Sequence, residues 1–283
     1  MTGDGEQGVV AQALREAAVH LEAIPDTPRL DAELLMAHAL GVSRSDLLLR
    51  HMGDPAPAAF DGLVARRRNH EPVAYILGSQ EFYGLPLRVT PDVLIPRADS
   101  ETLVVAALAA RPGAGRVLDC GTGSGALLLA VLAQLPDASG IGIDRSEAAC
   151  AVAASNAQSL GLGARARLVR ADWDDAGWAQ DLGTFDLIVA NPPYVEVDAD
   201  LAESVRGHEP AGALFAGAEG LDAYRVLVPQ LPALLAPGGV ALVEIGHTQA
   251  GAVSALATAA GLTAVLHHDL GDRPRAVEMR QFA

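Results

Sequence analysis

Arg116-Val117-Leu118-Asp119-Cys120-Gly121-Thr122-Gly123-Ser124-Gly125-Ala126 is the stretch on which the fold turns. A short run with apolar residues ends in a carboxylate, three glycines follow at alternate positions, and a second apolar run continues to Leu135. Residues 116–120 suit a buried strand and Ala126 to Leu135 a helix. The glycines between them allow tight turns and close approach of a ligand. The helix behind them presents backbone N–H groups that have no partner within the helix. Asp144 comes 19 residues after Gly125, where a carboxylate can accept both hydroxyls of a ribose.

The same alternation extends in both directions. A helix is expected over Thr102 to Ala110. Downstream, strands are expected at Ile141 to Asp144, Ala166 to Val169, Phe185 to Ala190 and Val240 to Ile245. Helices are expected at Glu147 to Leu160, Tyr224 to Leu235 (interrupted by Pro229 and Pro232) and Thr248 to Ala260. Two last strands, Thr263 to His268 and Ala276 to Phe282, face each other without a helix between them. Alternating strands and helices predict an α/β, doubly wound, mostly parallel seven-stranded sheet with one antiparallel strand at its end.

Upstream the period changes. Residues 78–95 alternate with a period of two around Gly84, which is a hairpin pattern. From Val9 to Leu77 the pattern is helical, with Leu14, Ala17, Ala18 and Leu21 at helix spacing and Gly41 as a stop before Ser43 or Ser45 as a cap. The expected organisation is an N-terminal helical bundle over 1–77, a hairpin linker over 78–98 and a catalytic domain over 99–283. Met1 to Gly8 is polar, carries Asp4 and Glu6, and reads as a loose tail and not a signal peptide.

Composition narrows the class. The 283 residues are 50% hydrophobic, with a mean hydropathy of +0.24. No apolar run reaches the ~20 residues of a membrane span. The net charge is -15, and all 20 basic residues are Arg. A duplex-DNA binder carries a basic face that displaces counterions from phosphates, so direct nucleic-acid binding is not expected. Arg66-Arg67-Arg68 sits in a helical pattern and reads as a solvated face. Cys120 and Cys150 make neither a disulfide framework nor a zinc site, which suits reduced thiols in the cytoplasm.

The glycine loop alone admits two chemistries, because Gly121 to Ala126 also fits the dinucleotide fingerprint of nicotinamide enzymes. Asp119 suits a carboxylate under a methionine amino group and would repel a pyrophosphate. The helix before the first strand points the same way. So does a second motif. Ile188-Val189-Ala190-Asn191-Pro192-Pro193-Tyr194 places Asn-Pro-Pro-Tyr at the carboxyl end of an apolar strand, the edge at which open α/β sheets bind ligands. The prolines fix φ and remove two N–H donors, and each pushes the residue before it into extended geometry. Such a stiff, donor-poor loop can grip a planar NH2 by both hydrogens, with Asn191 Oδ1 and the Pro192 carbonyl as acceptors and Tyr194 stacking on the plane. This is catalysis by positioning and electrostatics. No metal and no covalent nucleophile is called for. Adenine, cytosine and glutamine all present such a group.

The residues now match a family. The chain resembles the release-factor glutamine N5-methyltransferases from about Leu30 to the C-terminus. The match runs through Arg29 to Leu35, Arg66 to Arg68, Glu71 to Gly78, Glu81 to Gly84, Leu94 to Arg97 and Glu101 to Val104. It continues at Glu209-Pro210, Ala213-Leu214 and Gly220 to Tyr224. A DNA adenine methyltransferase is not expected to share these flanking blocks. The resemblance implies a bilobal fold, with a helical substrate-binding domain joined by a hairpin to a methyltransferase domain. It implies S-adenosyl-L-methionine held by Asp119, Gly121, Thr122, Gly123, Ser124, Gly125, Asp144, Trp173 and Asn191. The implied substrate is the glutamine of a Gly-Gly-Gln loop in class 1 peptide chain release factors, its amide bound by Asn191, Pro192, Pro193 and Tyr194. A monomer is expected. The chain departs from the family at Ala98, where proline is frequent, and at Cys120, where an aliphatic residue is usual. A ribosomal-protein glutamine or a nucleic-acid adenine remains an alternative substrate.

Other residues are weighed individually. His267 and His268 are adjacent on a strand and point to opposite faces, which does not suit a metal site. Phe82 and Tyr83 fit substrate contact or hairpin packing equally well. Glu101 is a substrate or domain-interface group, or a carboxylate at a helix N-terminus. Arg97 meets a protein substrate or pairs with local acids.

Overall fold

The computed structural model describes residues 8–24 and 27–282. The loose tail expected at Met1 to Gly8 lies outside them, save Gly8. The chain divides into two compact units, one of residues 1–78 with 201–208, the other of 79–200 with 209–283.

The helical unit contains α1 (Val10–His20), α2 (Pro28–Leu40), α3 (Arg44–Arg50), α4 (Ala59–Arg68) and α5 (Val73–Leu77). Leu14, Leu35, Leu47, Phe60 and Ile76 share one apolar cluster. Pro28 opens α2, and Gly41 ends it in the left-handed conformation, φ 68°. Ser43 Oγ caps α3 by accepting the Asp46 N–H at 3.0 Å. The arginine run departs from the solvated face expected of it. Arg67 is buried, and its Nε donates to Asp31 Oδ2 at 2.7 Å, joining α4 to α2. Arg66 pairs with Glu71 at 2.5 Å, while Arg68 is exposed. A helix turns about 100° per residue, so Arg67 falls on the buried face of α4 with Phe60 and Val64, while its two neighbours turn outward.

The second unit opens with the antiparallel hairpin of β1 (Ser79–Phe82) and β2 (Leu85–Arg88). Tyr83 and Gly84 turn it with φ of 52° and 75°, the positive angles that a tight two-residue hairpin needs. Phe82 and Leu87 belong to an apolar cluster of the sheet unit. Then follow α6 (Glu101–Ala110), β3 (Arg116–Cys120), α7 (Ala126–Gln134), β4 (Ser139–Asp144), α8 (Glu147–Ser159), β5 (Ala166–Arg170) and β6 (Phe185–Ala190). After these come α9 (Glu203–Arg206), which belongs to the helical unit, then α10 (Asp222–Leu227) and α11 (Leu231–Leu234). β7 (Leu235–Glu244), α12 (Ala250–Ala259), β8 (Leu262–His268) and β9 (Pro274–Gln281) complete the chain.

The seven-stranded sheet has the order β5-β4-β3-β6-β7-β9-β8. Its first five strands are parallel, and β9 runs antiparallel to both neighbours. Successive residues of the central strands enter opposite cores. Val117, Leu187 and Val189 lie in one cluster, Leu118, Ile188 and Ala190 in the other. This is why these strands read as continuous apolar runs. The helix expected over 224–235 is broken into α10, a 3-10 turn at Val228–Gln230 and α11. Pro229 and Pro232 lack the N–H that a continuous ladder needs. β7 begins five residues earlier than expected, pairing Leu235 with Phe185.

Candidate active site

β3 is the hinge of the sheet, with β4 on one side and β6 on the other. Chain order reverses there, and such a switch point leaves a crevice at the carboxyl ends of the strands. The register pairs Cys120 with Ala190 and with Ile143. The glycine loop, Asp144 and Asn191 therefore leave three neighbouring strands at one edge. They meet at a cavity of about 520 Å³, lined among others by Gly121, Gly123, Asp144, Trp173, Ser100 and Asn191. Thr122, Ser124 and Pro193 also reach its wall. Asp119, Gly125, Pro192 and Tyr194 do not line it.

The glycine loop is built by backbone. Gly121, Gly123 and Gly125 all have positive φ. At Gly121, φ is 76° and a Cβ would stand 3.2 Å from the Trp173 ring, so a side chain there meets both strain and an aromatic wall. Asp144 Oδ2 accepts the Gly123 N–H at 3.0 Å and Oδ1 accepts the Ser146 N–H at 2.9 Å. Each oxygen keeps acceptor capacity for a ligand hydroxyl. Burial pushes the Asp144 carboxyl above its usual range, against those two bonds.

Asp119 sits wholly buried behind the loop. Its Oδ2 accepts the Thr122 hydroxyl at 2.7 Å and the Leu128 N–H at 3.3 Å, while Oδ1 has no hydrogen-bond partner among the described residues. Burial raises its carboxyl to about 7. An unpartnered buried carboxylate oxygen under a glycine loop is what a cationic ligand group would relieve.

The Asn191 loop is built by side chains from elsewhere. Asn191 Nδ2 donates to Ser100 Oγ at 3.3 Å. Pro192 is buried. Tyr194 packs against the second core cluster, and its hydroxyl lies 3.4 Å from Glu244 Oε1. Burial, then the Glu244 charge, pushes the Tyr194 phenol up to about 12. Gln249 Nε2 donates to the carbonyls of Tyr194 at 3.0 Å and Gly220 at 3.1 Å. A Cβ on Gly220 would stand 2.2 Å from the Tyr194 oxygen. The Gly220 block is thus the floor on which the loop rests.

Sequence comparison matches residues 12–78 to the PrmC N-terminal domain and residues 113–255 to a methyltransferase domain. A protein of Rhodospirillum rubrum named release factor glutamine methyltransferase is 43% identical over 99% of this chain and 91% of its own length. Relatives of that name from Cereibacter sphaeroides and Bordetella pertussis are 45% and 47% identical. They cover 95% and 87% of this chain, and 98% and 92% of their own lengths. The chain belongs to the release factor glutamine methyltransferase family. Two solved structures share the fold at a TM-score of 0.52. One is an O-methyltransferase family protein from Burkholderia thailandensis, 14% identical over 94% of this chain and 98% of that one. The other is a methyltransferase from Pyrococcus furiosus, 18% identical over 76% and 95%.

Further supports of the site in this release factor glutamine methyltransferase family member come from outside its two motifs, and the role of Asn156 escaped sequence reasoning. Asn156, buried on α8, accepts the Arg88 N–H at 2.7 Å and donates to the carbonyls of Arg88 at 3.0 Å and Ser124 at 2.8 Å. It ties the hairpin to the glycine loop. Glu209 is buried, accepting the Ile95 N–H at 3.2 Å and Arg97 at 2.5 Å. Arg97 therefore pairs with a local acid while lining the cavity. Glu101 stands in the first turn of α6 and accepts the Tyr83 N–H at 2.9 Å, bracing the strained hairpin turn. Phe82 is buried in the core and also reaches the cavity wall. Arg97 pairing with a local acid, Glu101 at a helix N-terminus and Phe82 in packing were each among the sequence readings; for Asn156 the one sequence mark was a polar residue amid an apolar helical stripe.

Proposed function

We propose that this chain transfers a methyl group from S-adenosyl-L-methionine to the side-chain amide nitrogen of the glutamine in the Gly-Gly-Gln loop of class 1 peptide chain release factors. The observation that carries the reading is the placement of Asn191, which begins a double-proline loop and lines the same cavity as the glycine loop. The donor fits the residues present. Gly121 to Gly125 would hold its methionine portion, Asp144 the ribose hydroxyls and Trp173 the adenine. The lone buried Asp119 Oδ1 favours a positive amino group nearby. When bound, the donor supplies an electrophilic methyl on a sulfonium.

The chain's own residues do the rest. An amide nitrogen is a weak nucleophile because its lone pair is delocalised into the carbonyl. Asn191 Oδ1 and the Pro192 carbonyl would accept its two N–H bonds, holding the nitrogen in line and stabilising the positive charge that develops there. The nitrogen then loses one proton to water or to the loop. Tyr194, Gln249 and Gly220 keep the loop stiff during attack. The helical unit, residues 1–77 with the hairpin over 78–98 as its link, would recognise the body of the release factor. The protein is proposed to act as a cytoplasmic monomer without nucleic acid; among the described residues no helix is long and apolar enough to cross a membrane.

The test is incubation with methyl-labelled S-adenosyl-L-methionine and a recombinant class 1 release factor. Label is expected on the glutamine of the Gly-Gly-Gln peptide, and with unlabelled donor the same peptide should gain about 14 Da. Label on a ribosomal-protein glutamine or an adenine oligonucleotide, with none on the release factor, would overturn the reading.

A further inference from the structure

Behind the Asn191 loop lies a buried polar cluster that the methyl-transfer chemistry above does not use. Its centre is Glu244 at the end of β7, 1% exposed. Four groups face this carboxyl. The Tyr194 hydroxyl comes from the loop after β6, and the Ser100 hydroxyl from the turn entering α6. The Arg275 guanidinium comes from β9, and Asp99 stands beside Ser100. Arg275 is itself held by Asp99 at 2.8 Å and Asp269 at 3.1 Å. Tyr224 donates to the backbone carbonyl of Glu244 at 2.8 Å and leaves the carboxyl untouched. Glu244 Oε2 is buried with no hydrogen-bond partner among the described residues.

Ser100 is the link outward. It lines the cavity, is 4% exposed, and accepts Asn191 Nδ2 at 3.3 Å. A serine hydroxyl has one proton and two lone pairs. If its oxygen accepts from Asn191, its proton needs an acceptor elsewhere, and the Glu244 carboxylate supplies one. If Glu244 is protonated, its own O–H can donate to the Ser100 oxygen instead. Ser100 can then donate to Asn191 Oδ1, the carboxamide turns over, and an NH2 replaces the acceptor that faces the cavity. A substrate NH2 would meet donors instead of an oxygen.

We infer that Glu244, acting through Ser100, is a positioning residue that holds the Asn191 carboxamide with its oxygen toward the cavity. This deepens the amide-methylation reading and rests on it for the identity of the substrate. The direction of each hydrogen bond is set by the next, from Asn191 N–H to the Ser100 oxygen and from the Ser100 O–H to the carboxylate. Tyr194 donates to Oε1 of that carboxylate, which leaves the unpartnered Oε2 to take the Ser100 proton once the hydroxyl turns toward it; one charge then orients both ends of the Asn-Pro-Pro-Tyr motif. Burial, opposed by Ser100, Arg275 and Tyr194 and assisted by Asp99, raises the Glu244 carboxyl to about 7. The relay is therefore expected to strengthen as pH rises across neutrality.

The test follows the full chain with two readouts. The first needs no substrate. The side-chain amide resonances of Asn191 are followed by NMR, with and without S-adenosylhomocysteine, from pH 5.5 to 9. In the native protein they are expected to shift with a midpoint near neutrality. In Glu244→Gln and Ser100→Ala that transition should vanish. The second readout is turnover on the release factor. Both variants are expected to lose at least about tenfold in kcat, roughly the worth of one hydrogen bond, with S-adenosylhomocysteine affinity unchanged. Ser100→Thr, which keeps the hydroxyl, should restore kcat to within about threefold of the native value. Asn191 resonances that are insensitive to pH and to both variants would overturn the relay even if no substrate were ever methylated. So would near-native kcat in folded Glu244→Gln and Ser100→Ala. A native enzyme inert toward the release factor, with the NMR transition intact, would strike the substrate reading and leave the relay standing.

Discussion

Two loops meet at the cavity, and they are made in opposite ways. The loop from Gly121 to Gly125 is made of backbone, with left-handed glycines, a carboxylate that accepts a loop N–H, and a helix start behind it. The loop from Asn191 to Tyr194 is made of side chains that arrive from distant parts of the chain, namely Ser100, Glu244 and Gln249. Each has a buried carboxyl behind it, Asp119 for the first and Glu244 for the second, and each of those carboxyls has one oxygen without a hydrogen-bond partner among the described residues. A loop that binds a cofactor can be local because the ligand's charge and hydroxyls complete it. A loop that must orient an acceptor to a fraction of a bond length needs bracing from several directions.

Substitutions in the two loops should therefore fail differently. The largest effect is expected at Asn191→Ala, with turnover falling by about 10²–10³-fold, the usual loss for one preorganised polar group at a reacting centre. The melting temperature and S-adenosylhomocysteine affinity should stay near native values, measured by thermal unfolding and calorimetry. Near-native turnover would remove Asn191 from the chemistry and the contrast with it.

Gly121→Ala tests the other loop. A Cβ at φ 76° faces the Trp173 ring at 3.2 Å, and left-handed backbone costs an alanine about 1–2 kcal/mol. Cofactor affinity should drop about tenfold or more by calorimetry. Turnover at saturating cofactor should fall less than affinity does.

Gly220→Ala should invert that pattern. Its Cβ would meet the Tyr194 carbonyl oxygen at 2.2 Å, and no part of the glycine loop is among the close contacts. Turnover is expected to fall about tenfold at unchanged cofactor affinity, with stability lowered by roughly 1–3 kcal/mol from overpacking. Equal losses in both quantities would mean that the two loops are one mechanical unit.

The smallest effect concerns the two carboxyls. Asp119 and Glu244 are both raised to about 7 by burial. Each binds its proton more tightly folded than unfolded, so the stability it contributes is complete below about pH 4, the ordinary carboxylate range, and is lost as pH rises through neutrality. The neutral isosteres Asp119→Asn and Glu244→Gln should not show that loss. Melting temperatures of native and variant proteins should therefore diverge between pH 5 and 8, with the native protein falling by several degrees more. Cofactor binding should narrow the gap for Asp119→Asn alone, since an ammonium beside Asp119 favours its charged form. Parallel melting curves would show that neither carboxyl holds a proton at neutral pH.

By itself, the sequence determined the strands, the sheet class, the hairpin, and the two motifs with their order along the chain. Those features are legible because each is a local demand on backbone geometry. Glycines are needed where φ is positive, prolines remove donors, and a strand buried on both faces is apolar throughout. Tertiary structure alone decided how the motifs are held. Ser100 lies 91 residues from Asn191, Gln249 lies 55 from Tyr194, and Asn156 lies 68 from Arg88. The inward turn of Arg67 toward Asp31, 36 residues away, belongs to the same class. Periodicity reports which face of an element is buried, but the identity of a polar partner depends on strand order, register and loop closure. No short window of sequence carries that information, because the unpaired group and its partner are brought together only when the sheet is complete.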